Sequence, residues 1–311
     1  MSFASDVRRG LSRRPRSLPP RWFYDTLGSR LFDAICALPW YRITRAELGL
    51  LPRAARAARR LLGRPGLIVE MGCGNGEKLE VLLEGIHDGK KPLVVGLVDL
   101  SSVALAQSRR RVARFSGLSF FEARAPFEAG LARALRVRPR RQRALVVFLG
   151  SNIGNFDPPV AARFLRAVRR ALRPGDAFLL GADLVKPEAD LLLAYDDPLG
   201  VTAAFNRNVL MRMNRELGAN FDPGAFRHRA VWNATARRVE MHLVSRRAQV
   251  VRIPAVRMTV LFRRGESIFT EASYKYTAKT LAAEVASVGF AVRRQWIDRK
   301  ALFALMLLEA V

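Results

Sequence analysis

A glycine-rich turn between an apolar run and an amphipathic helix is the strongest constraint on the fold of this chain. Residues 67–78 read Leu-Ile-Val-Glu-Met-Gly-Cys-Gly-Asn-Gly-Glu-Lys, and Leu67–Val69 have the apolar character of a buried strand. From Glu77 onward, leucines recur at helical spacing on one face. Because glycine lets a ligand approach the backbone and a helix N-terminus offers N–H groups, the pattern predicts a site for a nucleotide-like ligand.

The glycine spacing distinguishes between classes of nucleotide ligand. A dinucleotide fingerprint, G-x-G-x-x-G, requires a third glycine where this chain has Glu77. The spacing over Gly72–Gly76 is instead G-x-G-x-G after an acid, Glu70, and it resembles motif I of S-adenosylmethionine (SAM)-dependent methyltransferases with a Rossmann-like fold. A second acid should end the next strand and bind the ribose hydroxyls, and Asp99 ends the strand-like run 93–99. The alternative is an ordinary strand–turn–helix without a ligand.

The order of strands and helices predicts an α/β, Rossmann-like methyltransferase sheet with an inserted α+β substrate-binding domain. Strand-like runs that alternate with helices lie at 67–70, 93–99, 118–122, 144–149 and 177–183. Between residues 186 and 275 the pattern instead predicts helices at 187–195 and 200–217 and strands at 238–244, 250–258 and 259–262. A helix at 277–288 and strands at 291–296 and 304–308 suit the closing hairpin of such a sheet. We therefore expect a SAM-binding domain of residues 49–185 and 276–311, and a substrate-binding domain of residues 1–48 and 186–275.

The N-terminal segment is rich in aromatic residues and precedes the first long helix. An amphipathic helix is predicted at 31–38, and the break after it falls at Pro39. Thr44, with Glu47 three residues later, predicts a capping box at the start of the next helix.

Composition excludes several classes of protein and leaves one question about charge. No apolar run reaches the roughly 18–20 residues of a membrane span, and two cysteines make a disulfide framework improbable, so we expect a cytoplasmic protein. The net charge is +26, from 53 Lys and Arg against 27 Asp and Glu, and such a surface attracts phosphate backbones. The arginines occupy polar helix faces along the whole chain, as in residues 53–62, which favours a solvated surface over a nucleic-acid partner.

Further stretches resemble the histidine-specific N-α-methyltransferases of ergothioneine biosynthesis over nearly the full length. They are Leu18-Pro-Pro-Arg-Trp-Phe-Tyr-Asp, Gly28-Ser-Arg-Leu-Phe-Asp, Leu38-Pro-Trp-Tyr, Thr44-Arg-Ala-Glu, Phe148-Leu-Gly-Ser-Asn-Ile-Gly-Asn, Ala194-Tyr-Asp-Asp, Gly200-Val-Thr-Ala-Ala-Phe-Asn-Arg-Asn and Thr270-Glu-Ala-Ser-Tyr-Lys. The resemblance implies methylation of the α-amino group of L-histidine, three times, to trimethylhistidine (hercynine), the first step of ergothioneine biosynthesis. It also implies SAM as methyl donor and a small-molecule substrate. We expect a monomer and no metal site.

The same resemblance transfers the family's site residues to positions in this chain. The cofactor residues would be Gly72, Lys78, Asp99 at the ribose and Phe127 near the adenine. The substrate residues would be Asn155 and Tyr195 at the carboxylate, Glu271 and Ser273 at the imidazole, Met241 against the ring, and Tyr24 and Tyr41 near the amine. Tyr24 and Tyr41 are also the candidate catalytic residues, because a proton must leave the amine before each transfer.

Three departures from the family pattern concern the cofactor and the pocket. Pro126 replaces the acid that precedes the adenine-side phenylalanine, and Cys73 lies in the glycine turn. The usual Pro-Glu-Tyr-Tyr reads Pro-Trp-Tyr-Arg at 39–42, which keeps Tyr41 and loses the second tyrosine. We expect these changes to weaken cofactor binding at most.

Three alternatives to histidine methylation remain at this stage. The run Asn155-Phe-Asp-Pro-Pro resembles the Asp-Pro-Pro-Tyr motif of enzymes that methylate base amino groups, but the stacking aromatic is replaced by Val160. An RNA amino-methyltransferase is therefore one alternative, an N-methyltransferase of another aromatic amino acid is the second, and an inactive partner protein is the third. His87, His228 and His242 lack metal-ligand spacing and are expected in surface or packing positions.

Overall fold

The computed structural model describes residues 2–311, and the chain divides into two compact units. The small unit comprises the chain up to Tyr41 together with Lys186–Ser273. The sheet unit comprises Arg42–Val185 and Tyr274–Val311. This division does not test which ligand each unit binds, so the assignments of a SAM-binding and a substrate-binding domain stay predictions.

Helices and strands alternate through much of the chain. Within residues 2–311 the α-helices are α1 (Phe3–Ser12), α2 (Thr26–Ala37), α3 (Ile43–Leu62), α4 (Glu77–Ile86), α5 (Ser102–Val112), α6 (Phe127–Ala134), α7 (Pro158–Ala171), α8 (Glu188–Tyr195), α9 (Val201–Leu217) and α10 (Ala278–Ser287). The strands are β1 (Arg16–Ser17), β2 (Leu67–Met71), β3 (Leu93–Asp99), β4 (Leu118–Arg124), β5 (Ala144–Phe148), β6 (Ala177–Asp183), β7 (Phe226–Asn233), β8 (Arg238–Ser245), β9 (Gln249–Ile253), β10 (Met258–Phe262), β11 (Ser267–Tyr274), β12 (Phe290–Asp298) and β13 (Phe303–Ala310).

The sheet unit contains one seven-stranded sheet in the order β12-β13-β6-β5-β2-β3-β4. Strands β2 to β6 pair in parallel, whereas β13 is antiparallel to both β6 and β12. The chain leaves β2 for β3 and β4 on one side and returns to β5 on the other side. Ligands bind at such a switch point, beyond the carboxyl ends of the strands, so the turns after β2 and β5 are the expected binding place.

Helices cover both faces of this sheet and bury its central strands. Helices α6, α7 and α10 pack on one face through Leu131, Phe164, Leu281 and other apolar residues. Strands β2 and β5 are buried along their whole lengths, which explains why their sequences read as continuous apolar runs rather than alternating ones.

The small unit is a separate α+β arrangement. Its four-stranded sheet has the order β1-β11-β8-β7, and β9 and β10 form a two-stranded antiparallel ribbon. Helix α2 packs against α9, and Asp25 caps α2 by accepting the Gly28 N–H at 2.7 Å. This cap starts α2 five residues before the predicted helix at 31–38.

The predicted fold class is confirmed, and two local predictions are wrong. The run 250–258 is not one strand, because Pro254 starts a short 3-10 turn and Arg257 takes a left-handed conformation at φ 47° that reverses the chain. Helix α3 begins at Ile43, so Thr44 lies inside it and does not cap it. Among the helices of residues 2–311, none is long and apolar enough to cross a membrane.

Candidate active site

The glycine turn after β2 has the backbone conformation that its sequence predicts. Gly72, Gly74 and Gly76 have φ values of 78°, 51° and 78°, in the left-handed region that side chains disfavour. A Cβ on Gly76 would lie 2.7 Å from Ser108 Cα, whereas a Cβ on Gly74 would meet open space. Gly76 is therefore needed for packing, and the open space at Gly74 leaves room for a ligand beside the backbone.

Asp99 and Phe127 lie next to this turn, as expected for cofactor residues. The Asp99 carboxylate accepts the Gly74 N–H at 3.4 Å and the Ser101 N–H at 2.8 Å, while burial raises its pKa. The Phe127 ring begins α6, and its Cε1 lies 3.5 Å from the place that a Cβ on Gly72 would take. The structure thus brings Gly72, Asp99 and Phe127 together.

Lys78 lies in the first turn of α4 and is bound by a buried acid from α3. Its Nζ is 2.6 Å from Oε2 of Glu47, whose side chain is fully buried. The same carboxylate accepts the Gly150 N–H, at 2.8 Å to Oε2 and 3.1 Å to Oε1. Glu47 therefore links the turns that follow β2 and β5.

Glu70 provides the test of whether these residues suit SAM. Its Oε2 is buried and has no hydrogen-bond partner in the described chain. Burial raises the pKa of this carboxyl to about 8; Lys78 opposes the shift, and Glu47 and Asp99 add to it. A buried carboxyl oxygen without a hydrogen-bond partner is costly. SAM carries a sulfonium and an ammonium group, either of which would stabilise a carboxylate at this place, so the residues present fit this cofactor.

In the small unit, four of the predicted substrate residues lie on or beside β11. Glu271 and Ser273 are two residues apart on this strand and thus share one face, with 8% and 3% of their surfaces exposed. The Tyr195 hydroxyl donates to Ser273 Oγ at 2.7 Å. Met241, on the neighbouring β8, is joined to the strand by its backbone carbonyl, which accepts from the Thr270 hydroxyl at 2.9 Å.

A row of aromatic rings connects the two remaining tyrosines to Tyr195. Tyr24 lies edge-on to Phe32, with ring centroids 5.5 Å apart. Phe32 in turn packs against Tyr41 at 6.3 Å, and Tyr41 packs against Tyr195 at 6.5 Å. Tyr24, Tyr41, Tyr195 and Ser273 are therefore parts of one continuous cluster within the small unit.

A buried histidine that we expected in a packing position holds the backbone of Tyr195. His228 Nε2 is 2.8 Å from the Tyr195 carbonyl oxygen, and His228 Nδ1 is 2.8 Å from Asn206 Nδ2. Since the amide nitrogen can only donate, Nδ1 accepts and Nε2–H donates, which defines a neutral ring. Burial lowers the pKa of His228, and the charge of Arg207 adds to this shift. The hydrogen bond to the Tyr195 carbonyl and the charges of Asp196 and Asp197 oppose it.

Asn155 is the one predicted substrate residue that lies in the sheet unit. It ends the short 3-10 turn Asn152–Asn155 after β5 and is half-buried. The following prolines start α7 at Pro158, and Asp157 accepts from the Tyr274 hydroxyl at 2.8 Å.

Sequence reasoning missed two groups of residues that hold these sites. Glu47 was assigned to a helix cap, and nothing in the local pattern indicates that its partners are Lys78 and Gly150. Asn206 and His228 are 22 residues apart in sequence, without a motif spacing. The only available signal for Glu47 and Asn206 was that each falls within a stretch that resembles the family.

Comparison with known proteins agrees with this arrangement. The family model described as "Histidine-specific methyltransferase, SAM-dependent" matches residues 3–310. A histidine N-α-methyltransferase of Mycobacterium tuberculosis is 45% identical over 312 residues, which cover 99% of this chain and 94% of that relative.

Two relatives with other names are more distant. The ergothioneine biosynthesis protein 1 of Schizosaccharomyces pombe is 31% identical over 70% of this chain and 29% of its own length. A 4-dimethylallyltryptophan N-methyltransferase of Claviceps purpurea is 26% identical over 89% of this chain and 86% of its own length. Because the family model spans nearly every residue and the mycobacterial relative aligns over the full chain, this protein belongs to the SAM-dependent, histidine-specific methyltransferases.

Proposed function

We propose that this protein transfers methyl groups from SAM to the α-amino nitrogen of L-histidine, in three rounds that yield trimethylhistidine. This methylation would be the first step of ergothioneine biosynthesis. The proposal includes a cytoplasmic, monomeric enzyme whose substrate is a small molecule rather than a nucleic acid.

The observation that carries the choice of histidine is the buried polar pair on β11. A neutral imidazole has one N–H donor and one nitrogen acceptor. Glu271 is an acceptor for the N–H, and a serine hydroxyl that accepts from Tyr195, as Ser273 does, retains a proton that it can donate to the other nitrogen. An indole has a donor and no acceptor, and a phenol has its donor and acceptor on a single oxygen, whereas the imidazole presents them on two separate ring nitrogens. The pair therefore favours histidine over other aromatic amino acids.

The chain's own residues have three tasks in the reaction. SAM, when bound by Gly72, Lys78, Asp99 and Phe127, supplies the methyl group. Tyr195, Ser273 and Glu271 of the small unit would orient histidine. The rate would depend on holding the amine nitrogen about 3–3.5 Å from the methyl carbon of SAM, in line with the bond that breaks.

The tyrosines have the third task, which concerns the proton on the amine. The amine has a pKa of about 8 in model compounds and is mostly protonated at neutral pH, so it must lose a proton before each transfer. Water, Tyr24 or Tyr41 would take this proton; both tyrosines belong to the row of aromatic rings that ends at Tyr195. Met241 would pack against the imidazole ring, and Asn155 would hold the carboxylate.

Mass spectrometry of histidine incubated with the purified protein and SAM tests the proposal directly. Tryptophan, tyrosine and RNA serve as parallel substrates. We expect a gain of three methyl groups on histidine alone, and the mass series counts the transfers. Methylated tryptophan with unmodified histidine would replace the proposal by the activity that the Claviceps relative's name describes. Methylated RNA would make the arginine-rich surface the substrate-binding element.

A further inference from the structure

The Glu47 carboxylate is buried at a place where a charge is expensive. It projects from α3 toward the central sheet, and the side chain is fully inaccessible. Buried ion pairs contribute little net stability because the cost of desolvation offsets the attraction between the charges. The presence of Glu47 therefore calls for a reason other than stability.

The sheet makes room for this carboxylate with a glycine in the middle of β6. A Cβ on Gly181 would lie 2.0 Å from Glu47 Oε1 and 3.0 Å from Phe303 Cζ. Gly181 is not among the glycines with positive φ, so its backbone does not require glycine. Glycine in a strand interior sacrifices packing and weakens the strand. The Glu47 carboxylate occupies the space that a side chain at position 181 would fill. The strand therefore gives up side-chain packing at this position to accommodate the carboxylate.

The two groups that Glu47 holds both belong to the cofactor edge of the sheet. Lys78 Nζ is 2.6 Å from Glu47 Oε2, and the Gly150 N–H donates to both carboxylate oxygens. The position of a Cβ on Gly150 would be only 3.2 Å from Lys78 Nζ, so the ammonium group lies directly against the turn after β5. A lysine side chain has four rotatable bonds, and ordering it costs conformational entropy. Because Glu47 holds the Lys78 side chain in the free protein, that entropy is lost on folding rather than on binding of the cofactor.

We propose that Glu47 is a positioning residue that fixes Lys78 and the Gly150 turn in the geometry that receives SAM, and that Gly181 provides the space for its carboxylate. This inference rests on the proposed function, because it takes Lys78 to be a cofactor residue. Glu47 acts through Lys78 and the Gly150 backbone rather than by touching a reacting atom.

Two variants perturb the carboxylate in different ways. Glu47→Gln keeps an oxygen for the Gly150 N–H and removes the charge opposite Lys78. Gly181→Ala keeps the charge and pushes the carboxylate out of its place. We expect both to weaken SAM binding by about 10- to 100-fold, as for the loss of a hydrogen bond to a charged group. The maximal rate at saturating SAM should fall by a smaller factor.

A combined variant tests the pairing of Glu47 with Gly181. In a Glu47→Ala background, the carboxylate that a Cβ on Gly181 would displace is absent, so Gly181→Ala should cause no further loss of SAM affinity. Additive effects of the two alanine substitutions would contradict the assignment of Gly181. Unchanged SAM affinity in both Glu47→Gln and Gly181→Ala would overturn the role of Glu47.

Asp176 provides a matched control in the same unit. Its carboxylate is 2% exposed, is 2.6 Å from Arg138 Nη1 and accepts the Ala144 and Arg173 N–H groups, but it lies at the amino ends of β5 and β6. Asp176→Asn should lower stability and leave the dissociation constant for SAM unchanged. SAM binding is measured by calorimetry in the absence of histidine, whereas histidine methylation is tested with the unmodified protein. A negative result for the role of Glu47 is therefore distinct from a negative result for the proposed function. A loss of SAM affinity in Asp176→Asn equal to that in Glu47→Gln would reduce the Glu47 effect to general destabilisation and refute the proposal.

Discussion

SAM binding should release a proton from the buried carboxyl of Glu70. Burial raises its pKa to about 8, and its Oε2 has no hydrogen-bond partner in the chain from residue 2 onward. A cationic ligand placed beside this acid favours the carboxylate form and lowers its pKa. The perturbation that tests this coupling is a change of pH, compared between the unmodified protein and Glu70→Gln.

The size of the effect follows from the pKa. At pH 7 a group with a pKa of about 8 is about 90% protonated, so binding should release about 0.9 proton per SAM when the complex holds the ionised form. The affinity should then rise about ninefold from pH 6 to pH 7, since the ionised fraction rises by that factor. The comparison stays below pH 7.5, because the amino group of SAM itself titrates near 8.

Isothermal titration calorimetry in buffers with different ionisation enthalpies measures the released protons directly. Glu70→Gln should bind SAM without proton release and with little dependence on pH. Asp99→Asn is the control, because burial raises the pKa of Asp99 as well and it could supply the proton instead. An unmodified protein that releases no proton between pH 6 and 7, or a Glu70→Gln variant that still releases it, would refute this reasoning.

Three further predictions concern the turn, the buried histidine and the imidazole site. Gly76→Ala should lower the free energy of unfolding by about 2–4 kcal/mol in chemical denaturation, because its Cβ would meet Ser108 backbone at positive φ; Gly74→Ala, in open space, should cost about 1–2 kcal/mol. Since burial lowers the pKa of His228, the unfolded chain takes up the proton first. The free energy of unfolding should thus fall as pH drops below about 6.5, with a smaller slope in His228→Gln. Glu271→Gln should raise the KM for histidine about 10- to 100-fold at unchanged SAM affinity, whereas Glu240→Gln on the neighbouring strand should leave both unchanged in steady-state assays.

Local patterns in the sequence predict the sheet and the cofactor turn well, because their signals lie within a few residues. The apolar runs of β2 and β5 are buried along their length, and the conformations at Gly72, Gly74 and Gly76 are those that only glycine adopts readily. The predicted strand at 250–258 failed because its apolar pattern continues across Pro254, where the chain turns.

The substrate residues of the small unit could not be derived from local patterns. Tyr24, Tyr41, Tyr195 and Ser273 come from four distant parts of the chain, and only tertiary packing joins them. Any one of them, read alone, is an ordinary tyrosine or serine. Their assignment therefore came from the family resemblance, and their roles stay predictions.

The charges at the cofactor edge form one balanced system. Glu47, Glu70 and Asp99 bring three buried or half-buried acids to the turns after β2, β3 and β5, and Lys78 lies among them. Lys78 pairs with Glu47, which leaves Glu70 to hold a proton while no cofactor is bound. If the positive charge of SAM lies beside Glu70, it would take the place of that proton, and binding would bury no additional net charge. Such a site would favour the cationic methyl donor. It should bind the product S-adenosylhomocysteine, which lacks the sulfonium charge, with less proton release than SAM.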